Sequence, residues 1–100
     1  MAIRAIRVTR RAATQIEEAA DWWAANRPSA PDAIAEDLEQ AYSVIAAHPG
    51  VGSVARSARL RGVRRVLLNR INYYLYYREA RDVIEVLAFW HASRGAGPAI

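Results

Sequence analysis

The stretch from Leu60 to His91 constrains this chain most. It holds three runs rich in β-branched, aromatic and aliphatic residues, at about Val63 to Leu68, Ile71 to Arg78 and Val83 to His91, divided by Asn69-Arg70 and by Glu79 to Asp82. Runs of strand length separated by turn-forming residues predict consecutive strands of an antiparallel meander, and Leu60-Arg61-Gly62 leads into it. Side chains along a strand alternate between its two faces. In the last run Ile84, Val86, Ala88 and Trp90 are uniformly apolar, whereas Val83, Glu85, Leu87, Phe89 and His91 are mixed. The even set is therefore expected to face a core and the odd set an open side. In the middle run Ile71, Tyr73, Leu75 and Tyr77 form the more apolar row, which puts Asn72, Tyr74, Tyr76 and Arg78 beside Glu85, Leu87, Phe89 and His91 on that open side. A face carrying Tyr74, Tyr76, Leu87 and Phe89 together fits a binding surface; ordinary cross-strand aromatic pairing fits the same residues.

The residues before the meander supply a layer to cover it. Ile3 to Val8 alternates as a short strand. Thr9 follows as a helix N-cap. From Ala12 the apolar positions Ala12, Ile16, Ala19, Ala20 and Trp23 fall on one helical stripe, with Glu17, Glu18 and Asp21 off it. This helix is expected to end near Asn26, before Pro28. Ser29-Ala30-Pro31-Asp32 predicts a capping box opening a second helix. Its stripe of Ile34, Leu38, Ala41, Tyr42 and Ile45 repeats the first, and His48-Pro49-Gly50 stops it. Two such helices joined by a few residues make an antiparallel hairpin. Val51 to Arg59, with Gly52, Ser53 and Ser57, has no period and reads as a loop, and Ser93 to Ile100 reads as a mobile tail. A chain of 100 residues can bury one core, so residues 1–100 are taken as a single domain. The expected class is α+β: strand, antiparallel two-helix hairpin, then a three-stranded antiparallel meander (β-α-α-β-β-β), with the helices on one face of the sheet.

Charge divides along the chain. From Thr9 to Ala47 three arginines stand against seven acidic residues, and from His48 to Ile100 nine arginines stand against three. The basic half is the sheet half. Such a patch attracts nucleic acid or an acidic protein segment; a solvated face in a chain whose 14 basic residues are all Arg gives the same pattern. There is no cysteine, so neither a disulfide framework nor thiolate ligation is available, and two histidines, His48 and His91, are too few for a conventional zinc site. No metal or cofactor is expected. No apolar run approaches the roughly 20 residues that span a bilayer, and Ile3-Arg4-Ala5-Ile6-Arg7 interrupts what a signal peptide would need unbroken. The chain reads as soluble and cytoplasmic, with no membrane contact.

Several local patterns, in order, resemble the ParE and RelE superfamily of bacterial type II toxins, and more closely its ParE, or plasmid-stabilisation, branch. They are Ala19-Ala20-Asp21-Trp22-Trp23-Ala24-Ala25-Asn26-Arg27-Pro28 at the end of the first helix, His48-Pro49-Gly50-Val51-Gly52 after the second, Leu60-Arg61-Gly62-Val63-Arg64-Arg65 at the entry to the meander, Tyr76-Tyr77-Arg78, and Val83-Ile84-Glu85-Val86-Leu87 running to Trp90-His91. The resemblance implies a toxin neutralised by a cognate ParD-like antitoxin in a toxin–antitoxin hetero-oligomer, with DNA gyrase as the target and no direct nucleic-acid binding. It also implies the alternatives of a ribosome-dependent mRNA endonuclease of RelE type, or of a homologue that binds antitoxin without being toxic.

RelE-type nucleases resemble one another in an Arg of the middle strand, where this chain has Tyr74, an Arg after the last strand, which Arg94 matches, and a late Tyr or His, near which Ile100 stands. On this pattern no catalytic residue is expected; the alternative catalytic reading uses His91 as proton acceptor with Arg78 and Arg94 as cations for a developing phosphorane. A lone histidine is more often a hydrogen-bonded structural residue, and His91 reads first as one. The expected partner-binding set is Arg64, Arg65, Tyr74, Tyr76, Arg78, Glu85, Leu87, Phe89, His91 and Arg94. Trp23 is assigned to the core, and Trp22 to the hairpin edge or a toxin-dimer contact. Truncation of the tail is expected to remove toxicity and to leave antitoxin binding.

Overall fold

The structure, a computed structural model, describes residues 3–56 and 58–100; Ser57 of the expected loop, with Met1 and Ala2, lies outside the described residues. The elements run β1 (Ala5–Val8), α1 (Arg10–Asn26), α2 (Ala33–Ala47), β2 (Ser53–Val54), β3 (Arg64–Leu68), β4 (Tyr73–Ala80) and β5 (Val83–His91). Among the described residues the strands form one five-stranded sheet in the order β1-β5-β4-β3-β2. β1 lies parallel to β5, from Ala5 opposite Val83 to Val8 opposite Val86, and every other neighbouring pair is antiparallel. The α+β layout with both helices packed on the sheet is the one the periodicities predict. The structure adds β2, a two-residue edge strand within the expected loop.

Helix α1 starts as the sequence predicts, with the Thr9 hydroxyl accepting the Ala12 N–H at 3.2 Å. The start of α2 differs. Asp32 is its N-cap and makes no side-chain cap bond, so the capping box of Ser29 and Asp32 does not form. Ala30 N–H donates to Arg27 O and Ala33 N–H to Ala30 O, while the Trp23 indole N–H donates to Ala30 O at 2.8 Å. These bonds hold residues 28–32 in successive turns and delay the first helical residue to Ala33. Both apolar stripes then meet the sheet. Ala12, Ala19, Ile34, Leu38 and Ile45 join Leu68, Ile71, Leu75, Tyr77, Ile84, Val86 and Phe89 in one buried cluster, edged by Ile16, Trp23, Ala41 and Tyr42.

The turn after α2 is locked to β4 by one side chain. Tyr77, fully buried, donates its hydroxyl to Pro49 O at 2.7 Å and accepts the Gly52 N–H at 2.9 Å. Burial raises the Tyr77 phenol pKa, against the opposing pull of that Gly52 N–H and of Arg64. A Cβ at Gly52 would lie 2.7 Å from the Tyr77 hydroxyl and 2.8 Å from Arg65 O. Glycine is therefore required by close approach.

Strand β5 carries the feature that rearranges the site. Its register against β4 runs Tyr77 opposite Val86 and then Tyr76 opposite Ala88, so Leu87 is an extra residue, a β-bulge. Two residues facing one place Leu87 and Ala88 on the same side and shift the alternation by one from there on. Ile84 and Val86 face the helices as expected, but the following helix-side residue is Phe89 instead of Ala88. Leu87, Ala88 and Trp90 belong to a second cluster, on the open face, with Val63, Tyr74 and Tyr76. The expected placement of Ala88 and Trp90 towards the helices, and of Phe89 and His91 on the open side, is thereby reversed.

Candidate functional site

The open face is built from β3, β4 and β5 and has two parts. At one end, Arg78 stands opposite Glu85 and Arg7 opposite the same residue from β1. Glu85 accepts from Arg7 at 2.8 Å and from Arg78 at 2.9 Å. The hydrogen bond from Arg7, then that from Arg78, holds the Glu85 carboxyl below its ordinary pKa. Two cations sharing one carboxylate leave a net positive end.

The other part is aromatic and apolar. Tyr74 and Tyr76 meet edge to face at 6.2 Å. The Arg65 guanidinium lies 4.0 Å from the Tyr74 ring centroid and donates to the Tyr76 hydroxyl at 3.2 Å. Leu67, opposite Tyr74 in β3, is exposed. Arg64 is not on this face. It stands opposite Tyr77, on the helix-side row, and donates to Gly52 O at 2.7 Å, supporting the Pro49–Gly52 turn.

Over the middle lies the tail, which is docked, contrary to the mobility its composition predicts. The Trp90 indole N–H donates to Ala96 O at 2.7 Å, Arg11 to Ala99 O at 2.8 Å and the Arg59 N–H to Ile100 O at 2.7 Å. Pro98 is buried, and Ile100 packs on the cluster of Val63, Tyr76, Leu87 and Ala88. Leu87 is consequently buried (6% exposed) and supplies none of the free apolar area expected of it. Arg94 stacks on Trp90 with its guanidinium carbon 3.9 Å from the ring centroid.

Phe89, 2% exposed, stacks on Tyr73 at 4.5 Å on the helix side, and its N–H donates to Gln15 Oε1 of α1 at 2.8 Å. That bond occupies an edge position of β5 beyond the end of β1. His91 lies edge-on to Tyr73 at 5.0 Å. Sequence reasoning thus missed Trp90, Val63 and the tail as parts of the open face. The only trace of the tail's docking in the sequence is the apolar pair Pro98 and Ile100 within a run of small residues.

Residues 6–95 match the model of a family described as the ParE toxin of the type II toxin-antitoxin system parDE. The chain belongs to the ParE toxin family. A solved structure titled "Chromosomal ParDE TA system from P. aeruginosa" contains a chain that covers 91% of this one and is itself covered to 98%, with a TM-score of 0.74 and 18% identity. At that identity the likeness is one of fold. No curated protein matches the chain.

Within this ParE-family fold Arg78 of the catalytic alternative stands apart from His91 and Arg94, which line one hollow. His91 is opposite Tyr73 and Glu85 is opposite Arg78. Five residue steps along β4 separate those two rungs, roughly 17 Å at strand rise. His91 moreover turns to the helix side while Arg78 stays on the open face, bound to Glu85. Arg94 is near His91 in sequence but stacked on Trp90. No helix among the described residues is long and apolar enough to cross a membrane, and no group of three or more potential metal-ligating side chains occurs among them.

Proposed function

We propose that the chain is the toxin of a type II pair, neutralised by a cognate ParD-like antitoxin that covers the open face, and that it acts by binding DNA gyrase and not by cutting RNA. The separation of His91 from Arg78 carries this reading. Cleavage by 2′-hydroxyl attack needs the proton acceptor and the phosphorane-stabilising cation within reach of one phosphate, and these two groups stand at different ends of the β4–β5 pair, with the bulge in β5 putting them on different faces as well. What the open face offers instead is an anchor set for a protein: Arg65 stacked on Tyr74, exposed Leu67, and the positive end at Arg7 and Arg78, whereas Tyr76, 3% exposed, lies beneath the tail and supplies none of the free surface expected of it. Interface energy concentrates in such aromatic and Arg anchors. An acidic, partly apolar antitoxin segment complements both parts, in a toxin–antitoxin hetero-oligomer.

Induced expression, with gyrase supercoiling and transcript integrity followed separately, tests the target. Supercoiling is expected to be lost with transcripts intact, in the His91→Gln variant as in the parent. Transcripts cut within codons and spared by His91→Gln would replace this reading with the ribonuclease. An induced chain that leaves both untouched yet binds antitoxin would make it a non-toxic homologue.

A further inference from the structure

A cleft of about 520 Å³ opens on the helix side of the sheet, between the end of α1, the β3–β4 connection and the end of β5. Its walls are Trp22, Trp23, Arg27, Tyr73 and His91, with Asn72 and Arg70 at its edge. A smaller hollow of about 280 Å³ shares Trp22, Tyr73 and His91 and adds Arg94 and Glu18. The cleft does not belong to the open face: it exists because the bulge returns Phe89 and His91 to the side of α1.

Its chemistry has two halves. The first is flat and aromatic. Trp22 is 50% exposed, an unusual state for an indole, and meets Trp23 edge to face at 6.2 Å. The second half is cationic: among the described residues the Arg27 guanidinium donates only to the neighbouring Asn26 O, at 3.2 Å, and has no carboxylate partner. The Arg27 guanidinium lies 5.5 Å from the Trp22 ring centroid and 5.9 Å from that of Trp23. Among the described residues neither Arg27 nor Arg94 is in an ion pair, whereas Arg70 is bound to Glu36 and Asp37. His91 adds a third donor. Its Nδ1 receives the Ser93 N–H at 3.2 Å, with the Ser93 hydroxyl 2.6 Å away. A backbone N–H only donates, so Nδ1 is the acceptor and the ring N–H stands on Nε2.

A bare anion would leave the indoles unused, and an apolar ligand would leave the donors unpaired, which costs affinity. A planar π system bearing a phosphate uses both, and the cleft has the volume of small-molecule sites. We propose that this cleft binds a nucleotide, its base against the exposed Trp22 ring and its phosphate held by Arg27 and the His91 Nε2–H. The family resemblance implies no direct nucleic-acid binding, and alternation assigns His91 to the open face and away from α1. The site stands independently of the gyrase reading.

The test is a titration of the full chain with adenosine 5′-monophosphate, inorganic phosphate and a short 5′-phosphorylated oligothymidylate, read by tryptophan fluorescence and calorimetry. The mononucleotide is expected to bind saturably, and Trp22→Ala and Arg27→Ala each to weaken it by roughly 10-fold, the scale of one base stack. Arg61→Ala, an exposed change in the loop before β3, is expected to leave it unaltered. Tighter binding of the mononucleotide than of the oligomer identifies a free nucleotide as the ligand; tighter binding of the oligomer, weakened by salt, identifies a strand end. Inorganic phosphate binding as well as the mononucleotide, no saturation by any probe, or full affinity in a folded Arg27→Ala variant would overturn the proposal.

Discussion

The two faces of one sheet are covered in opposite ways. The helix-side face lies under two helices whose apolar stripes interlock with Leu75, Tyr77, Ile84, Val86 and Phe89. The open face has a smaller cluster, Val63, Tyr76, Leu87 and Ala88, and its cover is the tail ending in Ile100. Helices bring continuous apolar stripes, so that loss of one contact leaves others. The tail brings Pro98, Ile100 and three hydrogen bonds to its carbonyls. Stability is therefore concentrated on one face, and exchangeable surface on the other. In the proposed complex a partner would replace weak cover without opening the main core.

The comparison is broken most directly by substitutions that weigh the two faces against each other. Phe89→Ala is expected to cost about 3 to 5 kcal/mol of unfolding free energy, as for a fully buried aromatic, measured by urea denaturation. A cost below about 1 kcal/mol would return Phe89 to the open face. Gly52→Ala forces its Cβ against the Tyr77 hydroxyl and Arg65 O, and about 1 to 3 kcal/mol is expected. Tyr77→Phe leaves Pro49 O and the Gly52 N–H without their partner, about 1 to 3 kcal/mol again. The double variant is expected to fall short of the sum, since both changes strike one contact.

Ile100→Ala is expected to cost roughly 1 kcal/mol, the scale of losing a few methylenes that are only partly buried. Its clearer signature is faster amide exchange at Arg59, whose N–H donates to Ile100 O, with exchange at Gly52 unchanged. Equal acceleration at both would mean that the tail and the helix-side core open as one unit. The smallest effect is that of Glu85. Its carboxyl is held below its usual pKa by Arg7 and Arg78. The stabilisation is thus complete above the ordinary carboxylate pKa and is lost as pH falls through the depressed value. For a cluster still open to solvent through Arg7 this amounts to less than about 1 kcal/mol. Glu85→Gln is expected to flatten the acid limb of the stability profile; an unaltered acid limb would remove Glu85 from the account.

The elements were legible in the sequence because each rests on local physics. The Thr9 cap, the two helical stripes and the meander read out from spacing alone. What was not legible is non-local. The parallel pairing of β1 with β5 joins residues on either side of the whole helical hairpin, and no turn residue encodes it. The bulge is one additional residue, Leu87, in a run of apolar residues on both faces; from Val83 to Trp90 only Glu85 is charged, so period-2 reading has nothing to reset it. That one shift moved Phe89, His91 and Trp90 across the sheet. Tyr74, Tyr76 and Arg78 lie on β4, outside the shift, and their face was read correctly, whereas Arg64 and Arg65 of β3 were both assigned to the surface and only Arg65 faces it. The tail's glycines and prolines describe a chain without secondary structure, which its docked course still is.

The central claim, that the bulge divides β5 between the faces, is tested by nuclear Overhauser contacts in the free chain. The account predicts contacts from the Phe89 ring to Ala19 and Tyr73, and from the Leu87 methyls to Ile100. Contacts from Phe89 to Ile100 or Tyr76, with Ala88 against the helices instead, would contradict it.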